Sequence, residues 1–522
     1  MKQKSLRNIR IILSCLILAL ITFIFIDFQN NTPSALRDVL LLNQFVPSLF
    51  RFVTTLSVIG LGFLLITILT FAFGRVYCSS LCPLGTLQDF FIFIKRKLSR
   101  KKPKFLYAKP RNILRYSILA FCLGSLFFTP FVVYMLDPYS NFGRIAFAFF
   151  KPVYVSLNNL GAGILNKYDN FLLFKYNLAS VRFEVYIYSI LILGALLALS
   201  FRKGRLFCNT ICPVGSLLGL MAKKSLFKIS IDSKSCTHCG KCSMACKSGC
   251  INLKKNEIDF SRCVACFNCI KSCQEDSIQY RFSPVRSKSD TPKISNERRD
   301  VILKAFALIV GSSFISRFLM ATDKIVPKNL NKVLIKKKTG AISPPGSLNT
   351  HRFNELCTAC HLCVSACPTQ VLRPSVMEYG LKGFMQPHMD FLANFCNHEC
   401  VICSNVCPTG AILPLLVEKK KVLQLGQVSF VKDNCIVSLD ETDCGACSEH
   451  CPTKAVYMVN YKNNLTIPEI NQKICIGCGA CEYVCPAKPN KAIYVDGNAI
   501  HQVAEKPKEE KIEVKQTEEF PF

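Results

Sequence analysis

No G-x-G-x-x-G fingerprint and no Walker phosphate loop occurs in this 522-residue chain, so nothing argues for a nicotinamide or nucleotide site. Histidine is scarce: there are 7, none inside an apolar stretch, so a membrane b-type haem would find no pair of axial ligands. No molybdenum or flavin motif is evident either, and the chain brings no terminal catalytic site of its own. Acids are outnumbered, 34 Asp and Glu against 65 Lys and Arg, giving a formal net charge of +31. That excess does not argue for nucleic acid. Much of it lies beside apolar segments, where membrane proteins keep their cytoplasmic lysines and arginines.

What the chain has is cysteine, 31 residues of it, together with a mean hydropathy of +0.28. The length implies about three domains at roughly 150 residues each. Charge-free apolar runs exclude a purely soluble protein. Disulfide scaffolds are usually short and secreted, whereas these cysteines fall in tight, repeated clusters that point to metal.

Four uncharged stretches, residues 11–26, 52–74, 116–136 and 185–201, predict four membrane spans. The first and last are slightly short of the roughly 20 residues a span needs, and Arg10 and Arg202 can snorkel to make up the length. Residues 75–115 hold 11 basic residues and one acid, Asp89, while the loops 27–51 and 137–184 hold two and five basic residues. This asymmetry predicts a cytoplasmic N-terminus and cytoplasmic ends for the second and fourth spans. No small-residue cleavage site follows the first span, so the leader is expected to remain. A fifth, shorter apolar segment, residues 305–316, follows Arg298-Arg299. Paired arginines ahead of a mildly apolar segment look like a twin-arginine export signal; the alternative is a short buried helix after a basic linker.

Gly74-Arg75-Val76-Tyr77-Cys78-Ser79-Ser80-Leu81-Cys82-Pro83-Leu84-Gly85-Thr86-Leu87 recurs 130 residues later, from Gly204 to Leu217. Seven of the fourteen positions are identical. Each copy follows a predicted span, which implies two pseudo-symmetric helix pairs. Packed together, the halves would bring Cys78, Cys82, Cys208 and Cys212 to one site, enough thiols for an iron–sulfur cluster or a tetrahedral ion. Buried reduced thiols in a packing motif are the plainer alternative. Thiol redox chemistry and metal binding both stay open here.

Six quartets follow. Cys236, Cys239, Cys242 and Cys246, then Cys263, Cys266, Cys269 and Cys273, have the C-x2-C-x2-C-x3-C spacing of bacterial two-cluster ferredoxins. In that arrangement three thiolates of a loop grip one cubane, and the fourth reaches its neighbour. Lys247 and Gln274 stand where proline usually follows. Four more quartets each precede a proline: Cys357, Cys360, Cys363, Cys367; Cys396, Cys400, Cys403, Cys407; Cys435, Cys444, Cys447, Cys451; and Cys475, Cys478, Cys481, Cys485. The second of these has a first gap widened by one, the third a long first gap. The quartets take 24 cysteines and the membrane pairs four, leaving Cys15, Cys122 and Cys250. One quartet alone could hold zinc; six in this register predict six [4Fe-4S] clusters. Cys357-Thr358-Ala359-Cys360-His361 also matches a c-type haem attachment motif, but it lies inside a complete ferredoxin quartet.

On these motifs, residues 1–280 resemble the NapH-type quinol dehydrogenase membrane subunit: four spans, two C-x3-C-P motifs, then a two-cluster ferredoxin domain. Residues 296–490 resemble the NapG/MauM-type periplasmic polyferredoxin, with its twin-arginine leader, a Pro-Pro-Gly segment (Pro344-Pro345-Gly346) and four cluster motifs. The chain reads as a fusion of two normally separate partners. The resemblance implies an α-helical membrane bundle with α+β bacterial-ferredoxin-like domains in the bacterial inner membrane. It also implies a menaquinol or ubiquinol donor and a periplasmic redox enzyme or electron carrier as acceptor. The expected plan is a membrane domain at 1–228, a cytoplasmic ferredoxin domain at 229–282, a linker with the export-like segment at 283–322 and a connector at 323–350. A periplasmic four-cluster domain at 351–500 and a disordered tail at 501–522 complete it.

The expected role is electron transfer from quinol through the clusters to a periplasmic reductase. A quinol site must accept protons, and Asp27, Asp137 and Glu184 are candidate bases at the outer membrane edge, each with an alternative role as an interfacial anchor. Rival readings are a metal-handling factor, such as a copper reductase for oxidase maturation, and a redox anchor subunit. The conduit reading meets one difficulty. Four clusters lie on the far side of a hydrocarbon layer roughly 30 Å thick from the other two, and no haem ladder joins them.

Overall fold

The computed structural model describes residues 2–99, 105–177, 182–283 and 340–506. Arg298, Arg299 and the segment 305–316 fall outside the described residues, as does the tail beyond 506.

The N-terminal part is helical. Two of its helices, Ser5–Ile26 within Lys2–Ile26 and Phe183–Lys203, are long and apolar enough to cross a bilayer by length and composition. The two other expected spans are interrupted. In residues 52–74, the helix Phe45–Thr55 ends on Leu56 in left-handed backbone (φ 47), a 3-10 turn Val58–Leu61 follows, and a 12-residue helix Gly62–Phe73 completes the stretch. The chain folds back so tightly there that a Cβ on Gly62 would stand 1.8 Å from the Leu42 carbonyl oxygen. In residues 116–136, the helix Asn112–Ser125 stops before Pro130, and a short helix Phe131–Leu136 resumes. Proline removes an amide donor and pushes the preceding residue out of helical backbone. Hydropathy counting averaged over both interruptions.

Two α+β units flank these helices. In the first, β1 (Phe227–Ile231) pairs antiparallel with β4 (Ile278–Phe282), enclosing a small hairpin of β2 (Ile251–Asn252) and β3 (Glu257–Ile258). In the second, β5 (Leu372–Pro374) pairs with β6 (Pro387–Met389), β7 (Leu423–Phe430) with β10 (Ile493–Val503), and β8 (Val456–Asn460) with β9 (Thr466–Ile470). This unit is larger than the expected 351–500. Ile342 is buried before it, and Asn349, expected in a connector, caps the helix Thr350–Leu356 by accepting from the Arg352 amide at 2.7 Å. At its end the Ala504 and Glu505 amides bond to Val422 and Lys473, so the ordered chain passes residue 500.

The two units sit at opposite ends of the first helix, whose 25 residues rise about 37 Å. Near its start, Arg7 Nε donates to Asn268 of the first unit at 3.0 Å. Near its end, the Phe25 carbonyl accepts from the Ser365 hydroxyl of the second unit. There the apolar core is continuous, running from Ile21, Phe25 and Phe142 into Phe353, Leu362 and Val364.

Candidate electron-transfer centres

The repeat folds as two matching turns. Gly74 (φ 79) and Gly204 (φ 62) end the preceding helices in a conformation that disfavours side chains. In each copy an amide reaches back five residues, Cys82 to the Tyr77 carbonyl at 3.0 Å and Cys212 to the Phe207 carbonyl at 2.9 Å, a widened turn typical of functional sites. Pro83 and Pro213 open the next helices, and Cys82 and Cys212 take the extended backbone a following proline requires.

Each copy's arginine crosses to the other. Arg75 donates to the Cys208 carbonyl at 3.1 Å and to Asn209 Oδ1 at 2.9 Å; Arg205 donates to the Cys78 carbonyl at 2.7 Å and the Gly85 carbonyl at 3.1 Å. The exchange draws Cys78, Cys82, Cys208 and Cys212 into one buried site. Burial, then the charge of Cys208, pushes the Cys82 and Cys212 thiols well above their usual range, with Cys78 adding to both. Burial also pushes Cys208 up to about 11 against the pull of Arg205.

The charges around this site are uneven. Arg205 shares the Asp89 carboxylate (2.8 Å) with Arg10 (3.0 Å) and Lys247 (3.1 Å). Burial opposes ionisation of Asp89, but Arg205 and then Lys247 outweigh it and hold the carboxyl far below the usual range. Arg75 is fully buried and has no carboxylate partner among the described residues. Its guanidinium lies 3.6 Å from Cys78 Sγ, and its Nε has no hydrogen-bond partner among the described residues. An uncompensated buried cation is costly. A thiolate-ligated cluster is an anion and would remove that cost, so the residues present fit such a group.

The quartets assemble by exchange of their fourth cysteines. Cys246 lines one small cavity with Cys263, Cys266 and Cys269; Cys273 lines another with Cys236, Cys239 and Cys242. Cys485 joins Cys435, Cys444 and Cys447 in the same way. Electrostatic neighbours give the remaining sets. Cys357, Cys360 and Cys363 feel Cys407; Cys396, Cys400 and Cys403 feel Cys367; Cys475, Cys478 and Cys481 feel Cys451. The two quartets with altered first gaps therefore still present three loop thiols and receive a fourth. The regular loops share a backbone signature: the residues flanking the second cysteine are left-handed, as in His238/Gly240, Ala265/Phe267, Ala359/His361 and Gly477/Gly479. Amides aim at sulfur, Ala359 at Cys357 and Ile412 at Cys407, both at 3.4 Å. Among the described residues no three His, Cys, Asp or Glu side chains converge on a point that would hold a lone metal ion. A cubane spreads its four ligands around an eight-atom core, so the wider thiol sets suit it.

Buried cations accompany these sets. Arg144 Nε donates to the Ala359 carbonyl at 2.9 Å, and Lys151 Nζ to the Ser365 carbonyl at 2.7 Å, each from the helical part to the second unit. Lys420, also fully buried, faces Cys396.

The three candidate quinol-site carboxylates each have separate surroundings. Asp27 accepts from the Asn31 amide and from the Thr32 amide and hydroxyl. Asp137 is buried and caps the helix Pro138–Ile145 through the Ser140 amide and hydroxyl, at 2.8 and 2.7 Å. Burial pushes its carboxyl up to about 6. Glu184 is exposed in the first turn of Phe183–Lys203. His361, which completed the haem-like motif, is buried with Nε2 2.9 Å from the Met385 carbonyl oxygen and its ring edge-on to Phe147. Cys250, with no role foreseen, lies 3.5 Å from Cys246 and lines the Cys263 cavity. Its spacing from any quartet gave no signal.

Paired ferredoxin loops, exchanged cysteines and buried cations define an iron–sulfur electron-transfer protein of the ferredoxin type. The description "4Fe-4S dicluster domain" matches residues 356–412 and 442–488, and "4Fe-4S binding domain" matches 54–101 and 187–232, each of the latter enclosing one copy of the repeat. The chain belongs to the ferredoxin-type family that includes the methylamine utilization ferredoxin-type protein MauM. It is 32% identical to that protein of Methylophilus methylotrophus over 197 residues, 36% of this chain and 82% of the relative. It is 26% identical to the ferredoxin-type protein NapF of Escherichia coli K12 over 160 residues, 31% of this chain and 89% of that protein. With NapG of the same organism it shares 30% over 155 residues, 28% of this chain and 65% of the relative. No solved structure matches.

Proposed function

We propose that this chain conducts electrons from a membrane quinol, through six [4Fe-4S] clusters and the four-thiol site of the repeat, to a periplasmic redox partner. The observation that supports this reading is the position of the four thiols between the two ferredoxin units. On one side, Arg205 is in electrostatic reach of both Cys208 and Cys266. On the other, burial and then Cys82, Asp137 and Cys78 suppress ionisation of Tyr77. Asp137 and Tyr139 in turn adjoin Cys360. This succession of buried groups supports a path between two cluster sets that the proposed topology puts on opposite sides of a bilayer. Each cluster, when bound, supplies a one-electron relay. The protein positions the relays, buries them, and sets cations beside them. Quinol releases two electrons and two protons, and the electrons leave singly along the row. Exposed apolar side chains on the lipid side of the helices, such as Ile12, Leu16, Ile68, Ile190 and Leu191, support membrane insertion. The charge asymmetry supports a cytoplasmic first unit and an exported second one.

The test is quinol-driven reduction in anaerobic membranes, followed by electron paramagnetic resonance, with Cys78→Ser and Cys208→Ser combined. Loss of reduction in the outer unit of an otherwise assembled protein is the expected result. Reduction of all six clusters at the normal rate would assign the four thiols a structural role and sink the proposed route.

A further inference from the structure

A cavity of about 390 Å³ opens where the helix Phe183–Lys203 ends and the helix Asn112–Ser125 begins. Its basic lining is Lys109, Arg111, Arg115, Arg202, Lys203 and Arg262, and among the described residues no carboxylate lines it. Asp259, which pairs with the lining residue Arg262, is engaged by its Nε at 2.7 Å. Arg115 is committed to Ser216 and Ser261. Arg262 donates also to the Ala108 carbonyl at 2.8 Å, yet its Nη2 is buried without a partner among the described residues, on a side chain only 8% exposed. The Ser248 hydroxyl, in the same wall, likewise has no partner among the described residues. Six cations with two unused polar groups are a site for an oxyanion.

We infer that this cavity binds the phosphate of an anionic phospholipid headgroup. The surroundings favour lipid over free phosphate. Arg202 and Lys203 form the last turn of an apolar helix, and Ile113, Leu114 and Leu106 beside the mouth are exposed, offering a surface for acyl chains. Basic pockets between membrane helices are the usual seats of such headgroups. Asn209 and Thr210, which lie between Cys208 and Cys212, form the inner wall. The headgroup would therefore brace the second turn of the four-thiol site.

The test is native mass spectrometry and thermal-shift titration of the full chain in detergent with dioctanoyl phosphatidylglycerol. Parallel arms use dioctanoyl phosphatidylcholine, inorganic phosphate and a short-chain quinone. Phosphatidylglycerol should bind and raise the melting temperature, and the other three should not. The exposed triple variant Lys109→Gln, Arg111→Gln, Arg202→Gln should weaken it about a hundredfold, since each juxtamembrane cation contributes about fivefold. A control losing the same charge elsewhere, Lys419→Gln, Lys454→Gln, Lys462→Gln, should bind as the parent does and shows whether the effect is local. Equal binding of phosphatidylglycerol to both triple variants overturns the inference. So does protection by phosphate alone, which would make the occupant a free anion, or by the quinone alone.

Discussion

The Cys396 amide donates to the Cys478 carbonyl at 3.0 Å, and the Cys478 thiol feels the charge of Cys396. This contact joins two exchanged pairs of quartets that are far apart in sequence. It orders the second unit as a row: the Cys357 set nearest the helices, then the Cys396 set, the Cys475 set, and the Cys435 set at the far end. Arg144 fixes the near end of the row by holding the Cys357–Cys360 loop against the helical part.

The exchange of fourth cysteines makes a selective prediction. Cys407→Ser should remove the cluster held by Cys357, Cys360 and Cys363, not the one held by the rest of its own motif. Iron should fall from about 24 toward about 20 atoms per chain, four being lost with one cluster. Iron analysis with electron paramagnetic resonance of the near-end signal checks this. Loss of the Cys396 set instead would reverse the assignment.

Close packing at the repeat can be probed with single methyl groups. Gly85→Ala and Gly215→Ala would place a Cβ 2.4 and 2.1 Å from the Cys78 and Cys208 carbonyl oxygens. Each should cost about 1–3 kcal/mol and disturb the four thiols. Gly163→Ala, where a Cβ meets nothing within 4 Å, should be neutral or slightly stabilising in its helix. Thermal melts of the three variants give the comparison.

Asp89 is the shared partner of Arg10, Arg205 and Lys247. Asp89→Asn leaves three cations without it and should destabilise the fold by about 3–5 kcal/mol. The folded carboxyl ionises below the unfolded one, so its contribution is fully present above the unfolded value. It is lost progressively as the pH falls below the unfolded value and through the folded one, which lies far below the usual carboxylate range. Between pH 5 and 7 the deficit of the variant should therefore stay constant. A deficit that shrinks across that window would show that Asp89 is not the ionised hub.

Arg75 stands beside Cys78 without a carboxylate. If it balances an anionic metal–thiolate centre, Arg75→Gln should lower that centre's reduction potential, because the more negative reduced state loses a cation. Optical redox titration of the purified protein measures the shift. An unchanged potential with full metal content would assign Arg75 to packing alone.

The sequence determined the ligand chemistry. Three thiols on one loop must follow one another closely in the chain to face one cluster, so spacing alone made six quartets legible as expected ligand sets. The same logic exposed the repeat, since Gly74, Arg75, Cys78, Cys82, Pro83 and Gly85 recur as one local turn. Through-space relations left no such trace. Which motif receives Cys407 or Cys451, that the four repeat thiols meet through crossed arginines, and that Asp89 gathers three cations all depend on how separate segments pack. Hydropathy counting found the apolar stretches but missed the breaks at Leu56–Gly62 and before Pro130, because an average over residues ignores backbone direction. Only the tertiary structure placed the two ferredoxin units at opposite ends of one helix, since that arrangement arises from contacts such as Arg7–Asn268 and Phe25–Ser365 between residues hundreds of positions apart.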